Sequence, residues 1–227
     1  MIPDDVMETS EKLLLQKNFI REVDDASLLK FRNLKEVNFN GNLLAKMPCL
    51  PAKIEVAEFS ANRIEEFSVC SNSKRLRLLD LGFNKITSAF LYDGIFGGFP
   101  RLKHLNLESN RLDRIPTKLP QSLVFLNLKN NRIHTILKES FSNLVALQVL
   151  ILERNEISII ENYPFSKLSS LNMLNLNSNF ITEVPTKMPA SLNSLLLSRN
   201  KIRHLYKNEN KLHGSIYHRL QVKVYVH

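Results

Sequence analysis

Histidine and cysteine are the residues of this chain best suited to metal binding or nucleophilic catalysis. The 227 residues include six histidines and two cysteines. No histidine stands at a metal-ligand spacing from a cysteine or a carboxylate partner. The chain also lacks a phosphate-binding loop and a Gly-x-Ser-x-Gly motif. The sequence therefore predicts a protein that is not an enzyme and needs no cofactor or metal.

The two cysteines leave two interpretations open. Cys49 follows Asn42 by seven residues, and Cys70 follows Asn62 by eight, where both asparagines belong to a repeated motif described below. This similar phase would bring the two Cα atoms near disulfide range, about 4.4–6.8 Å. A Cys49–Cys70 bridge would indicate an oxidising compartment. Because the phases differ by one residue, two partly buried free thiols are the alternative.

A basic surface is the next chemical feature. The net charge of +9 favours contact with polyanions. Seven basic residues recur shortly after the asparagines of the same motif, and they are Arg63, Lys85, Arg111, Arg114, Arg132, Lys201 and Arg203. A row of such charges suits a sulfated glycosaminoglycan, while the alternative is that these charges are simply solvated. Nucleic acid is disfavoured because no aromatic residues are interleaved along the row.

The elements that position these residues come from an internal repeat. The pattern Leu-x-x-Leu-x-Leu-x-x-Asn-x-Leu recurs nine times, with Ile, Phe, Val or Ala in some leucine positions. The asparagines that index the copies are Asn18, Asn42, Asn62, Asn84, Asn110, Asn131, Asn155, Asn179 and Asn200. Each can donate and accept hydrogen bonds at the turn after a strand. We therefore expect a buried ladder of nine amides that links neighbouring repeats.

The repeats alternate in length. Successive asparagines are separated by 24, 20, 22, 26, 21, 24, 24 and 21 residues, so every third repeat is short. Each short repeat contains a segment bracketed by two prolines, and these segments are residues 47–51, 115–120 and 184–189. Long repeats instead carry bulky pairs, namely Leu28/Phe31, Phe96/Phe99, Phe141/Leu144 and Phe165/Leu168. We expect extended, polyproline-like chain in the short repeats, because proline blocks regular helix.

The Leu-x-Leu alternation predicts one short strand per repeat, with its leucines on one face. A single repeat cannot bury that face, so the repeats must stack in parallel. The prediction is a solenoid with a curved parallel sheet on its concave face. Irregular, 3-10 and polyproline segments form the convex face, with little true helix. Residues 1–205 form the array of about nine repeats, and 206–227 form a divergent tail in which a final strand is expected.

Side chains between the leucines should point onto the concave face. They stand six, four and two positions before each asparagine. Phe125, Val149, Ile151 and Met173 form an apolar patch there, which is typical of a protein-binding site. The alternative is that a shallow sheet tolerates them. The predicted protein-binding residues are Asp80, His104, Asn106, Glu108, Phe125, Asn127, Lys129, Val149, Ile151, Glu153, Met173 and Asn175.

The chain resembles the small leucine-rich proteoglycan family in its repeat motif and in the short-long-long rhythm of its repeats. The resemblance includes two segments, Leu-Pro-Gln-Ser-Leu at 119–123 and Met-Pro-Ala-Ser-Leu at 188–192. The chain is also similar to relatives of that family of the podocan, nephrocan and extracellular matrix protein 2 types. The resemblance covers roughly residues 2–205. It implies an α/β-type leucine-rich repeat solenoid. It also implies a secreted matrix protein that binds collagen, growth factors or glycosaminoglycans.

Two departures from the family bear on localisation. The family's amino-terminal group of four cysteines and its carboxy-terminal cysteine pair are missing from this sequence, as is any Asn-x-Ser/Thr sequon. No apolar run approaches 18 residues, so no membrane span is expected. We expect either an extracellular matrix protein whose sequence is a fragment without its signal peptide, or a cytoplasmic leucine-rich repeat scaffold that regulates a protein partner.

Overall fold

The fold is a parallel solenoid built around one ten-stranded sheet. The computed structural model describes residues 9–67, 73–91, 94–204 and the backbone of 221–223. The strands of this sheet, in spatial order, are β1 Lys12–Leu14, β2 Glu36–Asn38, β4 Val56–Glu58, β6 Leu78–Asp80, β7 His104–Asn106, β8 Phe125–Asn127, β10 Val149–Ile151, β12 Met173–Asn175, β13 Ser194–Leu196 and β14 Gln221–Lys223. Within the described ranges, no helix is both long and apolar enough to cross a membrane.

The strands are in equivalent register because the motif fixes their position. The first nine begin six residues before the motif asparagine and end four residues before it. The central residue of each is buried, as in Leu105, Leu126 and Leu150, which pair side by side across three strands. Further motif leucines and their substitutes, such as Phe39 and Phe59, pack beneath the sheet in the same core. The solenoid predicted from the Leu-x-Leu pattern is therefore confirmed.

Motif asparagines connect each repeat to its neighbour. Asn131 donates from Nδ2 to the carbonyl oxygens of Leu107 in the preceding repeat (2.9 Å) and Leu128 in its own (3.1 Å). Its Oδ1 accepts from the backbone N–H of Leu112, 3.0 Å away. The same three bonds recur at Asn42, Asn62, Asn84, Asn110, Asn155, Asn179 and Asn200.

The first member of the ladder behaves differently. Asn18 is exposed and bonds only to the carbonyl oxygens of Leu15 and Gln16 in its own repeat. The prediction of nine buried amides is therefore wrong at Asn18, because no other described repeat packs against that side of it. Asn200 is only half-buried, although it keeps all three bonds.

The long repeats fill the convex side with their bulky pairs, all of which are buried. Phe141 and Phe165 stack with ring centroids 5.9 Å apart. Within the ranges that the structure describes, regular helix is limited to α1 Asp25–Leu29 and a 3-10 turn over Ile95–Gly98. Asp24 begins α1, since its Oδ2 accepts the Ser27 N–H at 2.9 Å, and this bond lowers the pKa of the Asp24 carboxyl.

The short repeats are not extended throughout, which corrects the polyproline prediction. Lys118 and Lys187, between the two prolines of their segments, adopt left-handed backbone with φ of 48° and 51°. The segment that starts at Pro48 has one residue fewer between its prolines. That missing residue accounts for the 20-residue spacing there against 21 in the other two short repeats. Two small parallel sheets lie after the asparagine turns, and they pair β3 Lys46–Met47 with β5 Glu66–Phe67 and β9 Thr135–Ile136 with β11 Ile159–Ile160.

The tail contributes one described strand to the main sheet. Gln221–Lys223 pairs in parallel with Ser194–Leu196, with Val222 opposite Leu195. The alternating residues Val224 and Val226 lie outside the described residues.

Candidate functional site: concave face and basic flank

The concave face carries a row of mostly apolar side chains at the first position of six adjacent strands. We call this row the apolar lane. Its members are Val56, Leu78, His104, Phe125, Val149 and Met173, each directly paired with the next. At a strand separation of about 4.8 Å, the lane is about 24 Å long. The apolar patch predicted from the sequence covers only the far end of this lane, although the position six before each asparagine also marks Val56 and Leu78 as members.

Members of the apolar lane are exposed or half-buried rather than covered. Met173 is 37% exposed. His104, the one polar member, stacks on Phe125 with ring centroids 6.0 Å apart, so the lane continues through it. Ile151 extends the lane sideways on β10.

Beside the lane, amides and carboxylates form a regular network across the strands. Asn106 donates from Nδ2 to Asp80 Oδ1 at 2.8 Å, and its own Oδ1 accepts the Glu108 N–H at 3.1 Å. Asn38 bonds Glu58 in the same way. A Cβ atom at Gly82 would lie 2.9 Å from Asn106 Nδ2, so the glycine leaves room for this network. These contacts fix the face in one arrangement before any partner arrives.

Two of the predicted binding residues belong to the network but are not exposed. Asn127 and Asn175 are buried, because each amide is enclosed between a glutamate of the preceding repeat and a backbone N–H. Asn127 donates to Glu108 Oε2, and Asn175 donates to Glu153 Oε2. The prediction that Asn127 and Asn175 face a partner is therefore corrected. They hold the neighbouring carboxylates in position instead.

Charge on the concave face is predominantly negative. Lys12 pairs with Glu36 at 2.6 Å, and Lys129 pairs with Glu153 at 3.6 Å. Three more carboxylates have no basic group of a described residue within 4.0 Å, and we call them the acidic patch. They are Glu58, Asp80 and Glu108. Burial raises the pKa of Glu58 above its usual value, and the negative charges of Asp80 and Glu36 raise that pKa further.

The basic flank follows the asparagines, as the sequence predicts, but it is in two parts. Arg63, Lys85, Arg111 and Arg132 occupy the same position in four adjacent repeats, where their backbone N–H groups bond the preceding repeat. Glu156 and Phe180 hold that position in the next two repeats. Lys201 is therefore separated from the first four, as is Arg203. Arg114 is exposed three residues after Arg111 on the same repeat.

Some charges of the flank are already compensated within the chain. Lys85 lies 3.4 Å from Glu65, and Lys201 Nζ stands 4.5 Å above the Phe180 ring. Arg63, Arg111 and Arg132 are exposed, and no ion pair is found for them among the described residues.

Cys49 is disulfide-bonded, so the free-thiol interpretation does not hold for this residue. Cys70, the predicted partner, lies outside the described residues. In the part of the chain that the structure describes, no three histidine, cysteine or acidic residues come together to form a metal site.

Comparison with known proteins places these features in a family context. The leucine-rich repeat family model matches residues 121–181. Human podocan-like protein 1 is 28% identical over 95% of the chain, and human keratocan is 32% identical over 73% of it. The chain spans 48% of the length of each of these two relatives.

Among solved structures, a chain of the octameric complex of latrophilin 3, Unc5D and FLRT2 superimposes with a TM-score of 0.83 and 30% identity. The match covers 89% of this chain and 64% of that one. The asparagine ladder, the parallel solenoid and these matches agree with the resemblance seen in the sequence. The chain is a leucine-rich repeat protein, and it resembles the small leucine-rich proteoglycans.

Proposed function

We propose that this protein is a non-enzymatic scaffold of the extracellular matrix with two binding surfaces. The concave face binds a protein ligand, of which collagen and growth factors are the candidate classes. The basic flank binds a sulfated glycosaminoglycan. The similarity of the chain to other leucine-rich repeat proteins supports a protein-binding role in general.

The apolar lane is the observation that carries the protein-binding part. A monomeric protein rarely leaves a contiguous apolar strip on a face that its own hydrogen bonds hold in one arrangement. Apolar side chains bordered by polar ones are the usual composition of a protein interface. A ligand that covers this strip removes apolar surface from water without having to reorganise the sheet.

Immobilised collagen tests this part, with binding measured by surface plasmon resonance. Replacing Val149 and Met173 by serine should weaken binding about tenfold, since two apolar contacts are lost from the far end of the apolar lane. The matched control replaces Val145 and Leu137, which are 49% and 53% exposed outside the concave strands, by serine. Equal binding by both double variants would argue against the concave face as the collagen site. A second arm with an immobilised growth factor applies the same comparison.

The spacing of the basic flank supports the glycosaminoglycan part. Four basic residues at successive repeats present a charge about every 4.8 Å, and sulfate groups can engage such charges without any base-like recognition. On a heparin column, the protein should elute well above about 0.15 M salt. Replacing Arg63, Arg111 and Arg132 by glutamine should shift elution to lower salt. The control replaces three exposed basic residues elsewhere, Lys30, Arg101 and Lys167, and an equal shift for both would indicate net charge alone.

The disulfide at Cys49 supports the extracellular assignment, because disulfides persist in oxidising compartments. Cys70 is the partner we propose, since the chain has no third cysteine. Peptide mapping under non-reducing conditions tests this pairing. A linked peptide pair that contains both residues is expected, and a free thiol at Cys70 would contradict it.

A further inference from the structure

The concave face combines an apolar lane with uncompensated negative charge. We infer that its partner is a protein segment that carries basic side chains next to apolar ones. The basic groups would lie against Glu58, Asp80 and Glu108, and the apolar groups against the apolar lane. This inference rests on the proposed protein-binding function and specifies the chemistry of the ligand.

Charge is the first argument. The concave positions of the first seven repeats hold five carboxylates and two lysines, and each lysine is paired with one of the carboxylates. The three remaining carboxylates fall together in consecutive repeats on β4, on β6 and just after β7. The chain as a whole carries a net charge of +9, so this patch is opposite in sign to the rest of the protein. An approaching basic segment would therefore be attracted to this part of the surface and repelled elsewhere.

Hydrogen-bonding capacity gives the second argument. An ionised carboxylate offers about four acceptor sites. Glu58 and Glu108 each accept one side-chain bond, from Asn38 and Asn127, while Asp80 accepts from Asn106 and from the Gly82 N–H. The oxygens therefore keep free acceptor positions beyond the bonds that the neighbouring amides donate to them. Guanidinium and ammonium groups are the donors that match such a surface.

Charge and apolar surface also alternate within single strands. Val56 and Glu58 share the concave face of β4, and Leu78 and Asp80 share that of β6. A segment that reaches the acidic patch must also cover the apolar lane beside it. Arginine or lysine alone would leave the lane exposed, and a purely apolar segment would bury the carboxylates without a partner, which is costly.

The arrangement is unfavourable for the isolated chain. Carboxylates on adjacent strands repel one another. Burial is the main cause of the raised pKa of Glu58, and the negative charges of Asp80 and Glu36 on the adjacent strands raise that pKa further. Elsewhere on the same face, similar carboxylates have a lysine nearby. A cationic ligand would relieve this repulsion on binding, which gives the three unpaired charges a physical role.

A phage-displayed library of random linear peptides tests the inference on the full chain. We expect the enriched peptides to combine arginine or lysine with aromatic or aliphatic residues. Their affinity should fall about tenfold for the double variant Asp80→Asn, Glu108→Gln. These changes keep the side-chain shape and the acceptor oxygens that Asn106 and Asn127 use. The control, Glu22→Gln with Glu139→Gln, removes two exposed charges outside the concave strands.

The outcomes separate this inference from the proposed function. Peptides that lose binding with Val149→Ser and Met173→Ser, but not with the charge variant, would overturn the inference and leave the concave face as a binding surface. Enrichment of acidic peptides that bind the concave face would overturn it as well. Peptides indifferent to both concave variants would overturn the inference and the proposed protein-binding function together. Circular dichroism of each variant establishes that the solenoid is intact.

Discussion

The residue before each motif asparagine has left-handed backbone in all nine repeats. Eight of these nine are not glycine, and their φ values lie between 54° and 57°, as in Ala61, Phe83 and Arg154, while Gly41 has a φ of 67°. A non-glycine residue in this region costs about 1 kcal/mol or more. The turn is needed because the asparagine side chain must point into the core directly after the strand ends. The three hydrogen bonds of each buried amide offset that backbone cost.

Glu58 provides a test at the level of a single charge. Its pKa is raised in the folded protein, so the folded chain holds this proton more tightly than the unfolded chain does. Stability therefore falls as pH rises from the ordinary glutamate value through the raised value, and the cost persists at neutral pH. Glu58→Gln should stabilise the protein at pH 7 by less than about 1 kcal/mol, because water screens a half-buried charge. The gain should vanish below about pH 4, where the carboxyl is protonated in both states.

Urea denaturation at pH 7 and pH 4 measures this effect. Glu139→Gln, at an exposed position outside the concave strands, is the control and should change little at either pH. If Glu58→Gln were less stable at pH 7, the hydrogen bond from Asn38 would outweigh the repulsion.

At the scale of elements, the asparagine ladder links neighbouring repeats through side-chain hydrogen bonds. Asn131 is buried with partners in two repeats, whereas Asn18 is exposed with partners only in its own. Replacing Asn131 by alanine leaves buried backbone groups of Leu107, Leu112 and Leu128 without a partner, at about 1–3 kcal/mol each where water cannot reach them. We expect Asn131→Ala to lower the unfolding free energy by about 3 kcal/mol or more.

Asn18→Ala is the matched control, because it removes the same side chain from the same motif position. Its cost should stay below about 1 kcal/mol, since water can satisfy the groups it exposes. The urea concentrations at the unfolding midpoints of Asn131→Ala and Asn18→Ala, each compared with that of the unmodified protein, measure the two losses of stability. Similar losses for both variants would mean that the asparagines act within single repeats and do not link neighbours.

The strands and the buried motif positions were predictable because each depends on a local pattern. The Leu-x-Leu spacing predicts the first residue of each of the nine strands, from Lys12 in β1 to Ser194 in β13, without reference to the residues of other repeats. The left-handed Lys118 and Lys187 were not predictable, since proline constrains its own φ and not that of a residue two positions later. Burial of Asn127 and Asn175 also escaped prediction, because it depends on which glutamate stands in the preceding repeat.

Equivalent serines join the short repeats to their neighbours. Ser122 and Ser191 follow the second proline of their segments, and each donates from Oγ at 2.8 Å to the carbonyl oxygen of the preceding repeat's first motif leucine. Ser73 makes a similar bond to Leu50, although it stands in a long repeat. The Pro-x-Ser-Leu segments that support the family resemblance therefore have a structural reason, which is to satisfy a carbonyl where no helix covers it.

At the scale of the whole molecule, the two surfaces are separate and opposite in charge. The acidic patch lies within the strands and just after them, whereas the basic flank lies beyond the asparagine turns of the same repeats. A glycosaminoglycan on the flank and a basic protein segment on the concave face would each meet the charge that suits it. The turn between the two surfaces contains the buried asparagine, so the ladder that stabilises the fold also keeps them apart.

Among the described elements, strands of the main sheet contact only their neighbours in that sheet, so local stability should vary along the array. β8 is hydrogen-bonded on both sides, and Asn131 of its repeat bonds to Leu107 and Leu112 of the preceding repeat. β1 forms one edge of the main sheet, and Asn18 of its repeat bonds only to carbonyl oxygens of that same repeat. Hydrogen–deuterium exchange of the full chain should therefore show backbone amides of 123–131 exchanging much more slowly than those of 12–20. Slow, uniform exchange over both ranges would instead mean that the array opens only as a single cooperative unit, because opening at the edge would then cost as much free energy as opening at the centre.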